Sequence, residues 1–175
     1  MKSKILLIIT VILFLTGCES NDTPNSLLLS SADLIGNWNL TSQTIEDGAL
    51  TVISDGQTIT ATYAGYAKDI DVIFSFTENP NEVTLNGRYT LVNTISVLGQ
   101  DQIEEEEVIL SDSETSNWSL DNNVLTITED GIDAKFSIDE FSATSIKLKS
   151  EIDETETFND ESISTKATLY IVLEK

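Results

Sequence analysis

The chain has no histidine, one cysteine and two prolines, and its nine Lys+Arg face thirty Asp+Glu, a formal charge of −21 over 175 residues. Without histidine there is no Ser-His-Asp or Cys-His catalysis, no imidazole base and no His-ligated zinc. One cysteine forms neither an intramolecular disulfide nor a thiolate metal cluster. The scarcity of basic residues means repulsion from phosphate backbones, so nucleic acid is not an expected partner. No Gly-rich phosphate loop, nucleotide fingerprint or Gly-x-Ser-x-Gly elbow occurs, and no pair of carboxylates is singled out for glycoside hydrolysis. The reading is therefore non-enzymatic and without a cofactor. Hydrophobic residues nevertheless make up 40% of the chain, more than a disordered acidic tail carries.

What is present begins with an address. Lys2 and Lys4 precede Ile5–Leu15, a run that is apolar except for Thr10. It is too short for the roughly 20 residues of a bilayer span and has the layout of a secretory signal peptide. Its end, Leu15-Thr16-Gly17-Cys18, resembles the lipobox of bacterial lipoproteins. That resemblance implies cleavage before Cys18, acylation of its sulfur and amine, and a membrane partner held through the acyl chains. Two or more chains suffice for stable anchoring. Residues 1–17 are then the signal peptide and 18–33 a lipidated polar tether. Loss of Lys2 and Lys4 leaves seven basic residues against thirty acids, a mature charge of −23. The acidic and polar residues after Cys18 resemble the surface-export signal of Bacteroidetes lipoproteins, and that resemblance implies the outer membrane of a Gram-negative envelope and leaves its two leaflets open.

Residues 34–175 form one domain in which apolar residues recur with period two, the signature of half-buried strands. Trp38 and Leu40 share a parity. So do Val72, Phe74 and Phe76; Val83, Leu85, Tyr89 and Leu91; Leu125 and Ile127; Phe136 and Ile138; Ile146 and Leu148; and Leu169, Ile171 and Leu173. Asp47-Gly48, Asp55-Gly56 and Asp130-Gly131 are hairpin signals, with further breaks at Asn79-Pro80-Asn81 and Asp121-Asn122-Asn123. Asn86-Gly87, inside a strong alternation, reads as a bulge, bend or turn. Ser31-Ala32-Asp33-Leu34 is suited to one helical turn. The expected fold is all-β: a single antiparallel up-and-down barrel of eight to nine strands, whose closure removes edge strands. An immunoglobulin-like sandwich is the other architecture that such strands build.

Gly36-x-Trp38 within Leu34–Ser42 resembles the G-x-W that opens lipocalins. Asn117-Trp118-Ser119-Leu120 with Leu125-Thr126-Ile127, and Phe136–Ile138 with Ser145–Leu148, resemble successive hairpins of lipocalin-like lipoproteins of the Bacteroidetes type. The resemblance implies a barrel closed at one end around the tryptophan, often under an arginine from the last strand, with a cavity for a small hydrophobic molecule. Here the one arginine, Arg88, lies mid-chain on the outward parity, and Lys166 and Lys175 are the basic residues near the C-terminus.

Trp38, Leu40, Phe74, Phe76, Tyr89, Leu91, Phe136 and Ile138 point inward by parity. They either fill an eight-stranded barrel completely or line a cavity that binds a small apolar or amphipathic ligand. Trp38 reads first as a core residue, and Trp118 as a plug at one end. The alternative function is a surface module with a solid core that binds a protein or glycan through its loops; Tyr63, Tyr66 and Phe141 are its candidate contacts. Glu104–Glu107 reads as a solvated hairpin arm, because consecutive strand carboxylates face opposite ways and at most two of the four converge on a calcium ion. Glu151–Glu156, with Asp160 and Glu161, reads as a long loop before the last strand. The acids as a whole are expected on outward parities and loops, and the domain is expected to be monomeric. Cys18→Ser is expected to abolish incorporation of labelled palmitate and to leave the precursor at its uncleaved mass; labelling that persists would remove Cys18 as the anchor.

Overall fold

The computed structural model describes residues 29–111, 115–158 and 161–175. One helical turn, α1 (Ser31–Leu34), precedes nine strands: β1 (Gly36–Ser54), β2 (Gln57–Phe76), β3 (Glu82–Val97), β4 (Gln100–Leu110), β5 (Thr115–Asp121), β6 (Val124–Glu129), β7 (Ile132–Phe141), β8 (Ser145–Phe158) and β9 (Glu161–Glu174). All pairings are antiparallel in one sheet, ordered β2-β1-β9-β8-β7-β6-β5-β3-β4, with β2 also pairing β3. That extra pairing closes a ring of eight strands. The fold is thus the expected all-β, barrel-like meander, and a single sheet excludes the sandwich.

The turns follow from backbone chemistry. Asp55-Gly56 and Asp130-Gly131 are two-residue hairpins with both φ values positive, as type I′ geometry requires, and Asn122-Asn123 is a third. Leu98-Gly99 is a fourth, with φ values of 52° and 78°, that a leucine in the first position disguises. Asp47-Gly48, expected as a hairpin, instead lies inside β1. The register there jumps from Ile45 opposite Gly65 to Gly48 opposite Tyr63, so the left-handed Asp47 makes a bulge and the strand runs on. Gly87 marks a bend in β3: its φ is +125°, and a Cβ there would lie 1.8 Å from the Asp71 carbonyl oxygen.

The ring is complete only at one end. β3 pairs with β2 along one edge, while its other edge is divided between β5, over Glu82–Thr84, and β4, over Gly87–Val97. Among the described residues, β7 pairs with β8 only from Ser137 to Phe141, and β8 beyond Lys149 pairs with β9 alone. The far halves of β8, β9, β1, β2, β3 and β4 therefore make a curled, open sheet whose edges, among the described residues, are β8 and β4. Closure does not remove the edges as expected. The tract Glu151–Glu156 is also not a loop but the outer half of β8, where a continuous ladder with Thr168–Ile163 of β9 overrides its low β-propensity. Both edge strands are dense in carboxylates, and like charge on a free edge opposes the addition of another strand.

The closed end is solid. Leu34, Trp38, Leu40, Val72, Phe74, Phe76, Val83, Trp118, Leu125, Phe136, Ile146, Leu148, Ile171 and Leu173 form one buried cluster. The short helix is fixed over it because the Trp38 indole N–H donates to the Leu34 carbonyl at 2.7 Å. Asp33 accepts from both the N–H and the hydroxyl of Ser30, and these hydrogen bonds hold its carboxyl below the usual range. The Lys175 ammonium sits 4.3 Å from the Trp38 ring centre and donates to the Asp33 carbonyl, a lysine just past the last strand capping the tryptophan. Trp118 stacks edge-on against Phe76, and its indole N–H lies 3.1 Å from the carbonyls of both Thr77 and Glu82.

Gly131→Ala places a Cβ in open space at a left-handed φ and is expected to cost about 1 kcal/mol. Gly87→Ala adds a backbone collision to the same strain and is expected to cost roughly twice that or more. Urea denaturation of the two variants checks the order; equal midpoints would mean that β3 does not need its bend.

Candidate functional site: an apolar concavity above the barrel core

Where the ring opens, no element among the described residues covers the inner face of the curled sheet. Register fixes which side chains share that face, because directly opposed residues in an antiparallel pair point the same way. From the edge β8 to the edge β4, one row runs Ser150, Leu169, Ile45, Gly65, Asn93 and Glu104. Its neighbour toward the strand tips includes Tyr63, opposite Ile95 and Gln102, and beyond it Leu50 pairs Thr165, which pairs Glu154. These rows enclose a cavity of about 350 Å³ lined by Ile45, Leu50, Tyr63, Leu91, Asn93, Ile95, Glu104 and Thr165. The volume is at the small end of the roughly 300–1,000 Å³ typical of small-molecule sites.

Two backbone features shape this space. Gly65 leaves the floor of the row empty: a Cβ there would lie 2.6 Å from Asn93 Oδ1 and 3.3 Å from Ile45 Cδ1. Gly48, at the β1 bulge, lets the Tyr63 backbone and ring approach, since its Cβ would lie 2.1 Å from the Tyr63 carbonyl oxygen. The bulge also preserves the inward parity of Leu50 after Ile45. A second depression, about 450 Å³, lies by register on the outer face beside that bulge; Thr62, Ala64, Thr94 and Ser96 give it short walls.

Of the eight residues expected inside the barrel, Leu91 lines the cavity. Trp38, Leu40, Phe74, Phe76 and Phe136 are buried in the core, and Tyr89 and Ile138 pack against it. Cys18 lies outside the described residues. Tyr63 turns inward to the cavity, Tyr66 is half exposed on the outer face, and Phe141 packs on the core. Ile45 and Leu50 escaped sequence reasoning because the bulge between them breaks the alternation. Asn93 and Ile95 merely continue the parity of Leu91, a signal that was there to extend.

The charges divide by face. On β4, Glu105 meets Lys68 at 2.7 Å and Glu107 meets Arg88 at 3.8 Å; on β8, Glu151 meets Lys149 at 2.5 Å and Asp153 meets Lys166 at 3.0 Å. All eight side chains take the outward register. Hydrogen bonding to Glu105 raises the Lys68 pKa, and bonding to Lys149 and Thr168 lowers that of Glu151. Glu104, Glu106 and Glu154 take the inward register, contrary to the expectation that the acids face outward, and no basic side chain of the described residues pairs with them. Among the described residues no group of three or more His, Cys, Asp or Glu is placed to hold a metal ion.

Tyr63 reports on this environment. Burial, and then the negative charge of Glu154, raise its phenol pKa above the ordinary value. A raised pKa means that the folded state favours the neutral phenol. Its stabilising contribution is complete below the unfolded pKa, near 10, and is lost as pH rises through the folded value. Difference titration against Tyr63→Phe is expected to show the raised ionisation, and Glu154→Gln to bring it part of the way back. An unchanged titration in Glu154→Gln would place that carboxylate away from the cavity.

Comparison with protein-family models, with curated proteins and with solved structures gives no match, so the functional reading rests on this concavity and on the sequence itself.

Proposed function

We propose that this is a non-enzymatic, lipid-anchored envelope protein of the lipocalin-like kind that holds a small apolar or amphipathic molecule in the open half of its barrel. The observation that carries this reading is a cavity walled by Ile45, Leu50, Leu91, Ile95 and Tyr63 above a barrel end already filled by its own side chains. A solid end supplies rigidity, and an unfilled apolar face supplies a place where burying a ligand's hydrocarbon is favourable, at about 25 cal/mol per Å². The lipobox-like Leu15–Cys18 supports attachment to the outer membrane, with the polar tether giving the domain reach into the surrounding space.

The second reading, a surface module for a protein or glycan, is favoured by one observation: Leu98, at the tip of the β3–β4 hairpin, is 98% exposed, and Ile103 and Ile109 are exposed along β4. The two readings separate experimentally. An uncharged, environment-sensitive apolar dye is expected to bind with enhanced fluorescence, and Leu91→Asp to abolish the enhancement while Leu98→Asp leaves it intact. Native mass spectrometry after incubation with an envelope extract should then retain a small molecule. Failure of dye and extract alike to load the chain would overturn the carrier reading.

A further inference from the structure

The carrier reading leaves the headgroup of the ligand open, and the division of charge between the two faces of the sheet bears on it. β4 presents four consecutive glutamates, and pairing with β3 sends them alternately out and in. The outward two each have a cation within ion-pair distance. The inward two, Glu104 beside Asn93 and Glu106 beside Leu91, have none. β8 repeats the pattern on the opposite edge, where Glu151 and Asp153 are paired outside and Glu154, next to Thr165, is not paired inside.

Every basic residue of the described chain is accounted for elsewhere. Lys68, Arg88, Lys149 and Lys166 engage acids on the outer face, as Lys147 does with Asp139 and Glu140. Lys175 caps Trp38 at the closed end, and Lys135, beside Phe136, takes the outward parity of β7. The apolar cavity is therefore flanked on both edges by carboxylates that no basic side chain among the described residues neutralises. Glu104 is part of its lining, and Tyr63 adds the negative face of an aromatic ring.

We propose that the cavity selects amphiphiles with a cationic headgroup, an apolar chain lying on Ile45, Leu50, Leu91 and Ile95 with an ammonium held between Glu104 and Glu106 on one edge and Glu154 on the other. This rests on the carrier reading and narrows it. An anionic amphiphile of the same chain length meets three unneutralised carboxylates, and an uncharged one gains only its hydrocarbon burial.

Isothermal titration calorimetry of the full chain, below micelle concentrations, tests the selection with dodecyltrimethylammonium, dodecyl sulfate and an uncharged dodecyl oligoethylene glycol ether. The ammonium compound is expected to bind about tenfold tighter than the uncharged one, and the sulfate more weakly than either. The net charge of the molecule also attracts cations, so the decisive comparison uses two variants of equal charge change on the same strand. Glu104→Gln with Glu106→Gln should erase most of the preference, whereas Glu105→Gln with Glu107→Gln should keep it. Binding of the uncharged ether by both variants confirms that they are folded. Equal binding of all three amphiphiles, or a preference lost equally in both variants, would overturn the cation selection and leave the carrier reading standing. If none of the three binds, both readings are overturned.

Discussion

Strand β3 has one edge to offer and two strands to take it. β5 occupies that edge at Glu82–Thr84 and β4 occupies it from Gly87 onward, with the bend at Gly87 marking the change of partner. Most of the architecture depends on this division. Where β5 holds the edge, the sheet continues through β6 and β7 back to β8, the ring closes, and its interior is small enough to be filled by Trp38, Phe76, Trp118 and their neighbours. Where β4 holds it, the path to β8 is interrupted, the wall stays open, and the same inward parity that built a core below now lines a concavity. Core and cavity are one face of one sheet under two closure conditions.

An open sheet in a chain rich in Val, Ile and Thr has two problems, edge-to-edge association and an exposed apolar face. The acidic tracts answer the first. Glu104–Glu107 and the Glu151–Glu154 segment occupy the two strands that have free edges. Individual ion pairs on such an exposed surface contribute little to stability, typically 0–1 kcal/mol, so the outward pairs are better understood as discharging part of the edge than as holding the fold together. Because strand residues alternate, an edge made of consecutive acids necessarily sends half of them inward. The second face is thereby given a charged border as a consequence of protecting the first.

The fold was legible in the sequence wherever alternation ran unbroken. Val83 to Leu91, Leu125 with Ile127, and Leu169 to Leu173 gave the strands and the core side together, and the Asp-Gly and Asn-Asn pairs gave three of the hairpins. Legibility failed where an extra residue or a dense charge interrupted the pattern. Asp47-Gly48 has the chemistry of a hairpin turn, and nothing local distinguishes that from a bulge; only the ladder with β2 and β9 decides it, by continuing to Ser54. The acidic half of β8 has little strand propensity of its own and is extended because β9 pairs with it. The tip-ward cavity was hidden for the same reason, since its location depends on where a ring stops closing, which is a property of strand pairing between distant segments.

The two ends of the barrel also differ in what a substitution disturbs. At the closed end, side chains touch one another and the backbone: Trp38 links α1, β1 and the C-terminal lysine, and Trp118 links β5 to the segment between β2 and β3. Truncation of either indole leaves a void and orphaned carbonyls together, which places it among the costliest core changes, about 3–5 kcal/mol. At the open end, Ile45, Leu50, Leu91 and Ile95 are only partly buried and have fewer packed neighbours to lose. Their replacement removes apolar surface that the folded chain leaves in contact with water, so it perturbs the fold less than it perturbs anything that covers that surface. Stability is thus concentrated in one half of the sheet, and apolar area that the core does not use lies in the other.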